Sequence, residues 1–124
     1  SEVCDIMVGI DECAEFCNCH ILGGDTKQGT GVVSVTAFGV MEGRKPMTRK
    51  GARVGDVIAV TGELGAAAAG FLALSNGFYM PDAVSALCAP IPRVEEGIAL
   101  SSSGLISSCI DLSDGLATLV RARR

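Results

Sequence analysis

Short apolar runs that end at glycine or at an acidic turn alternate along this chain with stretches of helical periodicity. Four runs have the length and β-branched content of strands, namely CHIL (19–22), GVVSVTAFGVME (31–42), DVIAVTG (56–62) and ISSCI (106–110). Four segments have helical spacing or end in a helix-stop signal. They are 3–17, 64–77, a short helix in PDAVSALC and another helix from about Arg93 to Ser101. This alternation predicts an α/β or α+β fold built from two mixed substructures.

A basic connector separates the two predicted substructures. The segment EGRKPMTRKGARVGD (42–56) is rich in Arg and Lys and contains one proline and three glycines. We therefore expect a domain boundary near Val54, with 1–53 forming part of an amino-terminal domain and 54–124 part of a carboxy-terminal one. A last helix is expected after Asp114, with Ser113 as its cap. Neither end of the chain has the pattern of a finished domain, which favours a piece of a longer protein.

Composition argues against several classes of partner. The net charge of −4 repels a nucleic-acid backbone, and an aromatic content of 4% offers few platforms for base stacking. No apolar stretch approaches the roughly 20 residues of a membrane span, and no signal peptide opens the chain. The six cysteines lack the distribution of a disulfide framework. These features predict a cytoplasmic protein that binds neither nucleic acid nor membrane.

The stretch CIDLSDGLA (109–117) is the strongest candidate for chemistry. A strand ending at Ile110 and a helix beginning near Gly115 would place Asp111, Ser113 and Asp114 around a helix N-terminus, which attracts anions. Carboxylates repel phosphate unless a divalent cation lies between them, and Mg²⁺ accepts a few carboxylates together with phosphate oxygens and water. The alternative is that the two aspartates only cap the helix.

Other motifs are weaker alone. In ILGGDTKQG, Asp25 follows two glycines that would let a ligand approach the backbone, or it caps a turn. The basic residues of the connector are either solvated or supply one phosphate contact. Cys13, Cys17, Cys19 and His20 suggest zinc, but no second ligand pair has finger-like spacing, and a packed helix junction is the alternative. TGELGAAAAG lacks the Lys-Ser/Thr ending of a phosphate loop.

Taken in order, these segments resemble the thiamine-monophosphate kinases. The resemblance rests on ILGGDTKQG…GVVSVTAFGV, TRKGARVGDVIAVTGELGAAAAG, PIPRVEEGIAL and CIDLSDGLA, from about residue 9 to residue 117. The family belongs to the superfamily of ATP-using proteins related to aminoimidazole ribonucleotide synthetase. That synthetase has Glu at the position of Asp25, and other members lack the Asp-x-Ser-Asp-Gly run.

The resemblance implies magnesium-dependent transfer of the γ-phosphoryl group of ATP to thiamine monophosphate. By position, it implies that Asp25, Asp111 and Asp114 are magnesium ligands. It also implies nucleotide contacts for Gly24, Arg49 and Ser113, and a homodimer formed through the amino-terminal domain. No residue of this chain is assigned as a nucleophile or a general base.

The chain also departs from the family pattern. An upstream Gly-Asp-Asp-Ala type motif and the downstream half of the second domain are missing, and Leu119 stands where the family usually has an acidic residue. We therefore expect the isolated chain to be inactive. Two alternatives remain at this point: a non-catalytic nucleotide-binding or dimerisation module of the same fold, and a related kinase that acts on another small phosphorylated substrate.

Overall fold

A computed structural model describes residues 1–117 of the chain. It divides the chain into two compact units, Ser1–Val40 and Met41–Arg124, and each is described by itself below. Most of the helix predicted after Asp114 lies outside the described residues, and so does Leu119. The four helices run in the order α1 (Glu2–Phe16), α2 (Ala66–Asn76), α3 (Pro81–Cys88) and α4 (Val94–Ser103). All four were predicted from the sequence, and they are confirmed.

The first unit contains α1, which has an acidic first turn and a tightly hydrogen-bonded C-terminus. Asn18 adopts the left-handed conformation with φ of 51°, which Asn tolerates better than most residues. The Asn18 N–H then donates to the Glu15 carbonyl at 3.0 Å, and the Cys19 N–H donates to the Ala14 carbonyl at 2.8 Å. This is a Schellman motif, and it ends the helix where its apolar periodicity stops.

The predicted strands are not confirmed. Across residues 1–117, the structure assigns helices, turns and bends but no strand, and this includes the segments 19–22, 31–42, 56–62 and 106–110. The apolar side chains of 19–22, 31–42 and 56–62 are exposed, with Phe38 at 81% and Val57 at 92%, whereas Ile106, Cys109 and Ile110 are half-buried. A strand needs the backbone of a neighbouring strand to satisfy its N–H and C=O groups. The sequence pattern indicates that a segment suits a sheet, but it does not supply that neighbour.

The second unit is organised around the hairpin of α2 and α3. Gly70 and Ala73 of α2 are the two buried residues in the described part of the chain. A β-carbon at Gly70 would overlap the Ala83 carbonyl and would lie 3.1 Å from the Leu87 β-carbon. The two helices therefore approach so closely at Gly70 that no larger residue fits without displacing α3.

Helix α4 lines a groove in the second unit. Val94 and Ile98 of α4 line it together with Met41, Pro46 and Met47. Most large apolar side chains of residues 1–117 remain exposed, and within these residues α2 and α3 are the helices in contact with each other.

No helix among the described residues is long and apolar enough to cross a membrane.

Substitution of Gly70 by Ala should destabilise the second unit, because the added methyl group meets the α3 backbone. We expect a loss of about 1–3 kcal/mol in the free energy of unfolding, measured by urea denaturation followed by circular dichroism. Gly97→Ala in α4 is the matched control, since a β-carbon there meets no atom within 4 Å. That variant should be neutral or stabilising by up to about 1 kcal/mol. Equal effects of the two substitutions would contradict the close helix contact.

Candidate functional site

The second unit brings three of the predicted site residues together. The Arg49 Nη2 atom lies 3.8 Å from Asp111 Oδ1, and the Ser113 hydroxyl donates a 2.8 Å hydrogen bond to Asp111 Oδ2. Each oxygen of the Asp111 carboxylate therefore faces one of the two groups. Arg49 comes from the basic connector and the other two residues come from the DLSDG segment, so this cluster joins residues that are more than 60 positions apart in the sequence.

Backbone contacts between two segments hold the cluster. The Cys109 N–H donates to the Thr48 carbonyl at 3.0 Å, and the Ser108 hydroxyl donates to the Arg49 carbonyl at 3.2 Å. Gly51 has a φ of 135°, and a β-carbon there would overlap the Ser107 carbonyl. The connector thus lies directly against the segment that precedes Asp111.

The ion pair itself is exposed to solvent, with side-chain exposures of 75% for Arg49 and 66% for Asp111. Ion pairs this exposed contribute little to stability, because water solvates both charges and the long side chain loses conformational entropy. The backbone contacts therefore place Arg49, and the charge attraction only adds to them.

Hydrogen bonds lower the pKa of Asp111. The largest contribution comes from the Ser113 hydroxyl, followed by a backbone hydrogen bond at Asp111 itself and, more weakly, by the positive charge of Arg49. A donor to the charged form favours that form. The Ser113 hydroxyl therefore bonds directly to Asp111. This contact was not predicted from the sequence, which indicated a helix cap and, by resemblance, a nucleotide contact.

The oxygen chemistry of this cluster suits Mg²⁺. The Asp111 carboxylate is ionised and exposed, and Asp114 follows three residues later. Magnesium typically takes one or two carboxylates and completes its coordination with phosphate oxygens and water. In residues 1–117, however, no three His, Cys, Asp or Glu side chains gather closely enough to hold a metal ion. Asp111 and Asp114 therefore have no third such side chain grouped with them in this part of the chain, and their metal-ligand roles stay a prediction.

Asp25 and Gly24 belong to the first unit, whereas Arg49, Asp111, Ser113 and Asp114 belong to the second. The Asp25 Oδ2 atom lies 3.0 Å from Lys27 Nζ, and both side chains are exposed. A β-carbon at Gly24 would meet no atom within 4 Å. Contacts within the described residues therefore do not require glycine at this position. The ion pair of Lys27 with Asp25 was not predicted from the sequence.

The cysteine segment has the character of a helix junction. Cys13 lies in α1 and Cys17 follows the last residue of the helix, while Cys19 takes part in the Schellman motif. Desolvation of the half-buried Cys17, followed by the nearby Cys13, raises the pKa of the Cys17 thiol. In residues 1–117, no three His, Cys, Asp or Glu side chains lie close enough together to hold a metal ion.

Comparison with known proteins gives the same family name in bacteria and archaea. Thiamine-monophosphate kinase of Mycobacterium tuberculosis (strain CDC 1551 / Oshkosh) is 41% identical over 103 residues, which cover 82% of this chain and 31% of that protein. The Buchnera aphidicola (subsp. Acyrthosiphon pisum) enzyme of that name is 35% identical over 105 residues, or 80% of this chain and 32% of the relative. The Methanopyrus kandleri protein is 35% identical over 117 residues, or 93% and 38%.

The resemblance to thiamine-monophosphate kinases is therefore confirmed. The similarity covers most of this chain, but the chain spans only about a third of the length of the curated relatives that it matches. No family model and no solved structure matches the chain.

Replacement of Ser113 by Ala should raise the pKa of Asp111 towards the ordinary carboxyl range, because the largest stabilising contact of the ionised form is removed. The pKa can be followed by carboxyl carbon NMR during an acid titration. A folded-state pKa below the unfolded value contributes stability that is present above the unfolded pKa and is lost as the pH falls through the folded pKa. The variant should thus show a weaker loss of stability in acid.

The control for this titration is Ser103→Ala, which removes a hydroxyl that donates to the Leu100 carbonyl in α4. It should leave the pKa of Asp111 unchanged. If Ser113→Ala also left that pKa unchanged, the Ser113 hydroxyl would not be the group that stabilises the carboxylate.

Proposed function

We propose that the protein carrying this sequence phosphorylates thiamine monophosphate with ATP. The terminal phosphate of ATP is transferred: its bond to the β–γ bridging oxygen breaks, a bond to a phosphate oxygen of thiamine monophosphate forms, and ADP and thiamine diphosphate are released. The observation that carries the proposal is the similarity to thiamine-monophosphate kinases over 78–93% of this chain. Since this chain spans about a third of those relatives, the activity is proposed for the whole protein.

Within this proposal, Asp25, Asp111 and Asp114 hold magnesium, while Gly24, Arg49 and Ser113 contact ATP. Magnesium, when bound, neutralises the charge of the phosphate oxygens. The guanidinium of Arg49 adds a fixed positive charge at the place where Asp111 is held ionised. Phosphoryl transfer depends mainly on such positioning and charge compensation, so the absence of an assigned general base does not weaken the proposal.

The assignment of Gly24 to the nucleotide site rests on its position in the family resemblance. A glycine there would let a phosphate group approach the backbone closely. Gly24 also directly precedes Asp25, so the nucleotide and a metal ligand would meet at one turn.

We also propose the wider context that the family resemblance implies. The segments with strand composition join sheets in an α/β protein, with an amino-terminal domain that includes residues 1–53 and a carboxy-terminal domain that includes 54–124. The protein is proposed to be a cytoplasmic homodimer. Apolar side chains in the strand-like segments support this proposal, since large exposed apolar surfaces are normally covered in soluble proteins.

The substitutions Asp111→Asn and Asp114→Asn should each lower kcat/KM for Mg·ATP by roughly 100-fold in the full-length protein, because each removes an anionic metal ligand. The loss should be partly reversed at higher magnesium concentration. The measurement is coupled-assay kinetics with thiamine monophosphate across a magnesium series. Asp82→Asn, a change of the same charge in the first turn of α3, is the control and should behave as wild type.

Wild-type turnover by both variants at every magnesium concentration would remove the two aspartates from the metal site. A full-length protein that hydrolysed or bound ATP but did not phosphorylate thiamine monophosphate would point instead to another small phosphorylated acceptor.

A non-catalytic module is the second candidate function, and one observation favours it. Residues 1–117 contain no group of three side chains arranged to bind a metal ion. The two candidates differ in what the 124-residue chain does alone. Under the kinase proposal, too few ligands remain to neutralise a triphosphate, so calorimetric titration of the chain with Mg·ATP should show no saturation below millimolar concentration. Micromolar, magnesium-dependent affinity would favour the module.

A further inference from the structure

Asp56 connects the basic connector to the segment that leads into Asp111. Its Oδ2 atom accepts a 2.9 Å hydrogen bond from the Arg53 N–H and a 2.6 Å hydrogen bond from the Ser107 hydroxyl. The Asp56 N–H donates back to the Arg53 carbonyl at 3.1 Å, which closes a tight turn. The bond to Ser107 spans 51 positions of sequence, so Asp56 is both the end of a local turn and the anchor for a distant segment.

Three consecutive residues of the second segment contact the connector. Ser107 bonds to Asp56, Ser108 bonds to the Arg49 carbonyl, and Cys109 bonds to the Thr48 carbonyl. The contact to Asp56 lies at one end of this series, and the contacts to Arg49 and Thr48 lie at the other. These contacts fix the alignment of the connector on the segment, and thereby the position of Arg49 opposite Asp111.

The bond between Asp56 and Ser107 is the shortest of these contacts, and its acceptor is a carboxylate. Charge-assisted hydrogen bonds of this length are stronger than neutral ones. The pair of Arg49 and Asp111, by contrast, is separated by 3.8 Å and is open to solvent. An exposed arginine side chain explores many rotamers, so the position of its backbone determines which places its guanidinium can reach. The contacts of Ser107, Ser108 and Cys109 fix the position of that backbone.

We propose that Asp56 is a positioning residue that acts through Ser107 to hold Arg49 beside Asp111. This inference rests on the proposed function, in which Arg49 contacts ATP. Asp56 acts through Ser107 and the backbone of the connector, and it thereby sets where the guanidinium of Arg49 meets the phosphates. Loss of the contact should therefore weaken the binding of Mg·ATP more than it slows the transfer step.

Kinetics of the full-length protein test the proposal. Ser107→Ala removes the donor to Asp56 and leaves the Arg53 turn intact, so it is preferred to Asp56→Ala, which loses both. We expect KM for Mg·ATP to rise roughly tenfold, with kcat at saturating Mg·ATP close to wild type. Ser107→Thr keeps a hydroxyl and should restore most of the affinity. Ser102→Ala, whose hydroxyl donates to the Ile98 carbonyl within α4, is the matched control.

A double-mutant comparison identifies the route of the effect. If Ser107 acts through Arg49, Ser107→Ala should cause no further rise in KM when Arg49 is already Ala. Independent, multiplying effects of the two substitutions would overturn the proposal. A Ser107→Ala variant with lower thermal stability and unchanged KM would also overturn it, because that outcome describes a purely structural contact.

Hydrogen exchange separates this inference from the proposed function. Without nucleotide, Ser107→Ala should speed exchange of the Cys109 amide, which donates to Thr48, by roughly tenfold, and Ser102→Ala should not. Absence of kinase activity in the wild-type protein would refute the proposed function, and the exchange result would still decide whether Asp56 and Ser107 couple the two segments. Unchanged exchange in Ser107→Ala would refute that coupling.

Discussion

The candidate site depends on the contact between the basic connector and the segment that precedes Asp111. The hydrogen bonds from Cys109 to Thr48 and from Ser108 to Arg49 align two stretches of chain that are far apart in sequence. Without this contact, Arg49 and Asp111 would be two solvated charges with no reason to meet. Because the exposed ion pair contributes little by itself, the backbone has to place the charges before they can act together.

The chemistry of the cluster follows from the charge of its proposed ligand. A triphosphate is repelled by carboxylates, so a site that contains Asp111 and Asp114 requires positive charge between them and the phosphates. Arg49 supplies one such charge, and the ionised, exposed state of Asp111 suits a divalent cation. An arrangement with carboxylates alone would reject ATP, whereas one with arginine alone would bind ATP without organising a metal.

The sequence predicted local features better than long-range ones. Helix positions follow from apolar periodicity and from stop signals such as Asn76-Gly77, which depend only on neighbouring residues. The metal-binding role of Asp111 was predicted from the DLSDG segment and from the family resemblance, and the nucleotide contacts of Arg49 and Ser113 from the resemblance. The structure places these three residues together. Asp56 and Ser107 were missed because they looked like ordinary strand residues. The sequence also did not predict which strand-like segments would pair with each other. A two-residue period identifies the buried face of a strand, but it does not identify the neighbouring strand.

A crystal structure of the full-length protein with magnesium and a non-hydrolysable ATP analogue would decide whether cations join these side chains to a nucleotide. We expect magnesium to bind at the carboxylate of Asp111 together with the phosphates, and Arg49 to donate to the same triphosphate. A structure in which ATP binds away from Asp111 and Arg49, while these residues keep only their present contacts with each other, would contradict the account.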